Sequence, residues 1–214
     1  MAASFFYIAE GAVAADCDVD APNLHLRLEP QIVEREEFQG ARLAHIDRSA
    51  CTGCMACEES CAFGAVRGLQ IDPFSCEGCG VCELVCPEGA VRLLPEVTGE
   101  VFLSETRLGT LAHALLKPGG EATGKMVART RELASRVAEE KGLSLVLIDG
   151  SPGIGCPVIA SVTGTDLVLA VSEPTLSGLW GLQRIHGVAE HFGVPLAVCI
   201  NKADINEDMA ESIR

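Results

Sequence analysis

Eight of the eleven cysteines in this 214-residue chain fall into two runs, Cys51, Cys54, Cys57, Cys61 and Cys76, Cys79, Cys82, Cys86, each spaced C-x2-C-x2-C-x3-C. Displacing the first run by 25 positions superposes every cysteine, and also Ile46 on Ile71, Asp47 on Asp72, Gly53 on Gly78, Glu58 on Glu83 and Gly64-Ala65-Val66-Arg67 on Gly89-Ala90-Val91-Arg92. A repeat this dense is one small unit duplicated. Closely spaced thiolates are soft ligands, and a cubane iron–sulfur cluster takes four of them at the corners of a tetrahedron. Two-residue gaps let a tight loop wrap three sulfurs around one face of a cluster; the fourth must come from elsewhere. Zinc and disulfides compete for the same residue type. Zinc sites more often use two separated C-x2-C pairs than four cysteines in one run, and a disulfide framework needs an oxidising compartment. The doubled spacing therefore points to iron–sulfur chemistry.

From about His45 to Pro95 the segment resembles a bacterial 2[4Fe-4S] ferredoxin. In that arrangement the last cysteine of each run ligates the other cluster. The resemblance thus implies one cluster on Cys51, Cys54, Cys57 and Cys86, and a second on Cys76, Cys79, Cys82 and Cys61. One departure is Ala62 after Cys61, where Cys86 is followed by Pro87.

The elements around this unit are of a different kind. Residues 1–15 are apolar and small and end abruptly at Asp16, Asp18 and Asp20, the pattern of a buried parallel strand presenting carboxylates at its C-terminal end. Residues 29–44 are charged and read as a linker. After Pro95, the runs 143–150, 165–174 and 194–204 are short, apolar and closed by polar loops, and helical stretches separate them. Residues 126–142 read as an amphipathic helix closing at Gly142. Alternation of this length predicts an α/β fold with a parallel sheet and right-handed crossovers. Three segments follow: 1–44 and 96–214 as two parts of one α/β domain, with 45–95 inserted between them.

Loops at strand ends are where such sheets bind ligands. In DGSPGIG, Asp149 ends a strand where a carboxylate can hold magnesium through water, and Gly153 and Gly155 let backbone amides approach a phosphate. In NKAD, Asn201 can donate to and accept from a purine edge, with Asp204 closing the motif and SEPT (172–175) in the neighbouring loop. Each has a plain alternative as a strand-ending turn. DCDVDAPNLHL, DGSPGIGCPVIAS and NKAD together resemble, in order, motifs of the MinD/ParA-type P-loop ATPases, specifically the group with an inserted ferredoxin domain. The resemblance implies that Asp16 and Asp18 position magnesium and the attacking water, that Asp149 is the Walker B aspartate, and that Asn201 contacts adenine. The implied cofactors are two [4Fe-4S] clusters and, in the intact protein only, ATP/Mg2+.

That family carries a strand and a GKGGxGKT loop before the aspartate segment, and no such loop precedes Asp16 here. The expectation is a chain truncated at both ends that hydrolyses ATP poorly or not at all. Gly119-Gly120-Glu121-Ala122-Thr123-Gly124-Lys125-Met126 fits G-x4-G-K but ends in a thioether, which cannot replace the hydroxyl that coordinates magnesium. Cys17, Cys156 and Cys199 read as buried small residues. His25 and His45 read as surface or packing residues, and His113, His186 and His191 show no ligand spacing.

Net charge is −14, and the cysteine segment 45–95 has seven acidic residues against three arginines, with no lysine. Nucleic acid is therefore excluded as an expected partner, and a basic patch on a redox partner is favoured. No basic residue precedes Arg27, and no run of eighteen apolar residues exists, so neither a signal peptide nor a membrane span is expected; the expected location is the cytoplasm. Three functions follow. The first is electron transfer gated by nucleotide; the second is an assembly or carrier protein handing clusters to apo-proteins, as in related Mrp-type ATPases; the third is a binding module without catalysis. A nucleotide-dependent homodimer is implied by the resemblance.

Overall fold

A computed structural model of the chain describes residues 1–120 and 123–213. It divides into two compact units, one of Met1–Arg35, Val101–Leu115 and residues 123–213, the other of Glu36–Glu100 and residues 116–120.

The first unit begins with α1 (Ala2–Ile8), which buries Phe6. Gly11, at φ +77, turns the chain into β1 (Ala12–Cys17), every residue of which is buried. The apolar run 1–15 is thus a helix and a strand. Small and β-branched residues suit a strand covered on both faces. A short helix, α2 (Leu24–Leu28), follows. The charged stretch 29–44 is not a linker: it forms β2 (Gln31–Phe38) and most of β3 (Ala41–Ile46). β2 lies at the edge of its sheet and is almost wholly exposed, where charged side chains are tolerated and discourage pairing with other chains.

The second unit holds, in chain order, α3 (Ala56–Glu59), β4 (Val66–Arg67), β5 (Gln70–Ile71), α4 (Val81–Leu84) and β6 (Val91–Glu96). Its core consists of Ala44, Ile46, Val66, Val91 and Leu93 together with the buried thiols of Cys57 and Cys82.

Beyond it run β7 (Gly99–Thr106) and β8 (Gly109–Leu116), then α5 (Thr123–Lys141), β9 (Leu145–Gly150), α6 (Cys156–Val162), β10 (Val168–Ser172), α7 (Leu176–His191), β11 (Leu196–Ile200), a 3-10 turn (Ala203–Ile205) and α8 (Glu207–Ile213). β1 is parallel to β8 and to β9, and β10 is parallel to β11. The expected wholly parallel sheet is corrected in two respects. It is mixed, because only Arg107 and Leu108 separate β7 from β8, and a two-residue connection makes antiparallel neighbours. Among the described residues it also lies in two pieces, ordered β2-β7-β8-β1-β9 and β10-β11. β9 therefore pairs on one side only, and so does β10.

α5 buries Met126, Val127, Leu133, Ala134 and Val137 and packs on β1 and α6. Arg131 of α5 donates to the carbonyls of Ala160 and Thr163, satisfying the end of α6. Glu121 and Ala122 of the G-x4-G-K stretch lie outside the described residues. Of the rest, Thr123, Gly124 and Lys125 belong to α5, and Met126 is core. A Cβ on Gly124 would sit 3.2 Å from that of Cys156, so this glycine serves the close approach of α5 and α6.

Candidate cluster-binding site

The thiols are gathered by strand pairing that crosses between the two copies of the repeat. β3 leads into the first cysteine run and pairs antiparallel with β6, which leaves the second, with Ile46 opposite Val91. β5 leads into the second run and pairs with β4, which leaves the first, with Ile71 opposite Val66. In each case the pair lies five residues before one run's first cysteine and five after the other run's last. The Asp47 amide donates to Ala90 and, equivalently, the Asp72 amide to Ala65, both at 2.8 Å. The end of each run is thereby carried to the beginning of the other. Cys51, Cys54, Cys57 and Cys86 line one cavity, and Cys61, Cys76, Cys79 and Cys82 line a second.

Within each run the same devices recur. Glu58 accepts from the Gly68 amide at 2.7 Å, and Glu83 from the Leu93 amide at 3.3 Å. Met55 at φ 63 and Gly80 at φ 81 occupy the position before α3 and α4, a left-handed turn that closes the cysteine loop. The Ala90 amide donates to Cys86 Sγ at 3.3 Å. Burial raises the Cys61 thiol, but the amides of Ala65, Val66, Phe63 and Gly64 outweigh it and leave it below its ordinary value. Cys86 follows the same pattern, burial being outweighed by the amides of Ala90, Glu88, Val91 and Gly89. Cys57 and Cys82, in the apolar core, are pushed up by burial. A thiolate surrounded by N–H groups is the form that ligates metal.

None of the eleven cysteines is in a disulfide; of the three outside the runs, Cys17 is buried as expected, whereas Cys156 is exposed and Cys199 half-buried. Among the described residues no three His, Cys, Asp or Glu side chains converge as ligands of a single ion would. Four thiols lining each cavity, with amides turned to the sulfurs, fit a [4Fe-4S] cluster.

The strand-end residues lie in the other unit. Asp16 and Asp149 are register neighbours on β1 and β9, about 4.8 Å apart by strand spacing. Asp16 is fully buried, and its carboxylate accepts from the amides of Asp18, Asn23 and Leu24 at 3.3, 3.1 and 2.9 Å. It therefore anchors the loop that follows β1, a role its position in the sequence did not announce. Burial raises both carboxyls. Backbone amides oppose the shift at Asp16, while the charges of Asp16 and Asp18 add to it at Asp149. Asp18 is half-buried in that loop. Gly153 and Gly155 lie in the exposed segment between β9 and α6, where Ser151 donates to the Cys17 carbonyl at 3.1 Å. Asn201 follows β11, its amide bonded to Ser172 at 2.8 Å, and Asp204 is exposed in the 3-10 turn. Lys202 bonds Glu173 at 2.5 Å, joining the NKAD and SEPT loops. Sequence reading missed the stack of His113 between His25 and Phe102, with Ser104 at 3.0 Å from Nε2; no spacing signal marks it.

The 4Fe-4S binding domain family matches this chain twice, at residues 43–66 and 69–92. The chain is an iron–sulfur protein with two such domains. No helix among the described residues is long and apolar enough to cross a membrane. It is similar, at 26% identity over 109 residues covering 51% of this chain and 39% of the relative, to Uncharacterized protein MJ0579 of Methanocaldococcus jannaschii. A shorter similarity, 32% over 79 residues, covers 37% of this chain and 22% of the Small ribosomal subunit biogenesis GTPase RsgA of Microcystis aeruginosa. Uncharacterized protein MJ0578 of Methanocaldococcus jannaschii is 34% identical over 195 residues, which is 91% of this chain and 68% of the relative. At that identity and coverage, the chain belongs to the same family as MJ0578 of Methanocaldococcus jannaschii.

Proposed function

We propose that this protein carries electrons through two [4Fe-4S] clusters, one held by Cys51, Cys54, Cys57 and Cys86, the other by Cys61, Cys76, Cys79 and Cys82, and that nucleotide bound at the strand ends of the α/β unit gates the exchange. The observation that carries the redox part is the pair of four-thiol cavities, each drawing sulfurs from both cysteine runs. A cluster bound there supplies a one-electron couple. The chain contributes apolar shielding through Ala44, Ile46, Val66, Val91 and Leu93, and amides that favour the ligating thiolates of Cys61 and Cys86.

Support for the nucleotide part is the adjacency of Asp16 and Asp149 at the ends of parallel strands, the position at which such folds hold magnesium and phosphates. Exposure of Cys54 and Cys79 favours a second reading, donation of a cluster to an apo-protein.

Anaerobic purification followed by iron analysis and an EPR-monitored redox titration, with and without Mg·ATP, tests these statements. The expected result is about eight irons per chain, one-electron signals on reduction, and a midpoint moved by nucleotide. Bound zinc, or clusters that accept no electron, would overturn the redox reading. Insensitivity to Mg·ATP would overturn the gating. Rapid transfer of iron to an apo-ferredoxin on mixing would move the assignment to the donor role.

A further inference from the structure

The two cysteine-lined cavities share a backbone plan but differ at their openings. Around the first, the exposed residues are Thr52, Cys54 and Glu88, with Met55 and Leu69 half-buried. Around the second they include Phe63, 50% exposed, and Val81, 39% exposed, beside Glu77. The 25-position repeat makes Phe63 the counterpart of Glu88, and Val81 that of Ala56. One helical turn beyond Val81 on α4 stands Leu84, 86% exposed, whose counterpart is Glu59. Residues three apart on a helix share a face. The chain thus substitutes apolar for acidic or smaller side chains at three equivalent positions, all on the side of the second cavity. Folding does not require this, because the first copy builds the same cage without it.

We propose that Phe63, Val81 and Leu84 form the docking surface for a protein electron partner, which presents an apolar patch ringed by lysine or arginine over the second cavity. This rests on the electron-transfer reading. An apolar centre depleted of charge within a polar rim is the anatomy of a protein interface. The sign of the partner's rim follows from the surroundings: Glu77 stands at the same opening, and segment 45–95 has net charge −4 with no lysine. When the partner is an acceptor, one electron leaves the reduced cluster and reduces the partner's redox centre, with no bond made or broken.

The test uses the full chain with its clusters, and cytochrome c, a small lysine-rimmed haem protein, as probe. Binding is read by calorimetry, and electron transfer to ferric haem by stopped flow. At about 0.15 M salt exposed charges are screened beyond about 8 Å, so apolar contact dominates the difference between variants. Phe63→Gln with Leu84→Gln gives each site the neutral shape of its acidic counterpart without adding charge. The expected result is a Kd weakened about tenfold and a bimolecular rate slowed to match, as follows from losing two apolar anchors. Glu59→Gln with Glu88→Gln, the control at the first opening, should change both by less than about threefold. Leu84→Gln, at a residue that lines neither cavity, should leave reduction by dithionite-reduced methyl viologen, which needs no docking surface, unchanged. Unchanged cytochrome c binding in the Phe63/Leu84 variant, or a larger loss in the Glu59/Glu88 variant, would overturn the docking surface. A wild-type protein that binds the probe but exchanges no electron with methyl viologen would sink the redox reading and leave the surface standing. Should Phe63→Gln reduce iron content, Leu84→Gln alone carries the test, since Leu84 lines neither cavity: losing one anchor should weaken Kd about threefold, against no measurable change for Glu59→Gln alone.

Discussion

Residues 45–69 and 70–94 are two solutions to one problem, and they agree inside and disagree at the edge. The buried positions match: Cys57 with Cys82, Ala65 with Ala90, Val66 with Val91. The reciprocal bonds match as well, from Asp47 to Ala90 and from Asp72 to Ala65. The exposed positions around the openings do not. Where the backbone must cage a cluster, both copies keep the same devices; where it meets another molecule, each has its own. Agreement therefore marks what the cages require, and disagreement marks what distinguishes their surroundings.

The comparison can be broken first at a glycine. Gly53 and Gly78 are counterparts, both with positive φ. A Cβ on Gly53 would lie 3.8 Å from the Leu69 side chain, an ordinary contact, whereas one on Gly78 would overlap the Arg42 carbonyl oxygen on β3. Gly78→Ala should cost on the order of 3 kcal/mol, from backbone strain plus displacement of the strand. Gly53→Ala should cost about 1 kcal/mol from strain alone. Chemical unfolding of the two anaerobic variants checks the difference, and equal losses would mean that β3 yields without penalty.

The paired glutamates come next. Removing the acceptor for one loop amide should cost about 1 kcal/mol in each copy. Glu58→Ala should do more damage than Glu83→Ala, since Glu58 makes the shorter bond, 2.7 Å against 3.3 Å. The reverse order would show that these bonds do not hold the loops.

The smallest effect concerns acid. Hydrogen bonds from Ser49 to Asp47 and from Ser75 to Asp72 hold both carboxyls below their ordinary value of 3.8. A carboxyl depressed in the folded state adds stability that is fully present above the unfolded value, and loses it as pH falls through the lower folded value. Ser49→Ala and Ser75→Ala should each remove the hydroxyl's part of that contribution, leaving the backbone amides of position 49 and Phe74, and move acid-induced cluster loss to slightly higher pH by the same amount. Unequal shifts would place the two turns in different environments.

The cysteine unit was legible because chemistry and spacing coincide: a doubled run of four thiols has few other uses, and a repeat reports its own alignment. The strands 145–150, 168–172 and 196–200 were legible from apolar runs ending in polar loops. Less could be read where context overrides pattern. The charges of 31–38 suggested a linker because an exposed edge strand carries no apolar face to announce itself. The β7–β8 hairpin turns on Arg107-Leu108, which lacks the glycine or asparagine that usually marks such a turn. Asp16 read as a carboxylate presented at a strand end to a ligand, yet it is fully buried and accepts from three backbone amides. Phe63 and Leu84 carry no motif, and only alignment against Glu88 and Glu59 makes them visible.

The crossing of thiols between copies is tested most directly by two double variants compared for iron content and for the EPR signal of a reduced four-iron cluster. Cys51→Ala with Cys86→Ala removes two thiols from one cavity and leaves the other complete, so about four irons and one intact signal should remain. Cys76→Ala with Cys86→Ala takes one thiol from each cavity and should leave no four-thiol cluster. The opposite pattern, in which the second variant keeps a complete cluster and the first keeps none, would show that each run holds its own cluster and would contradict the crossed arrangement.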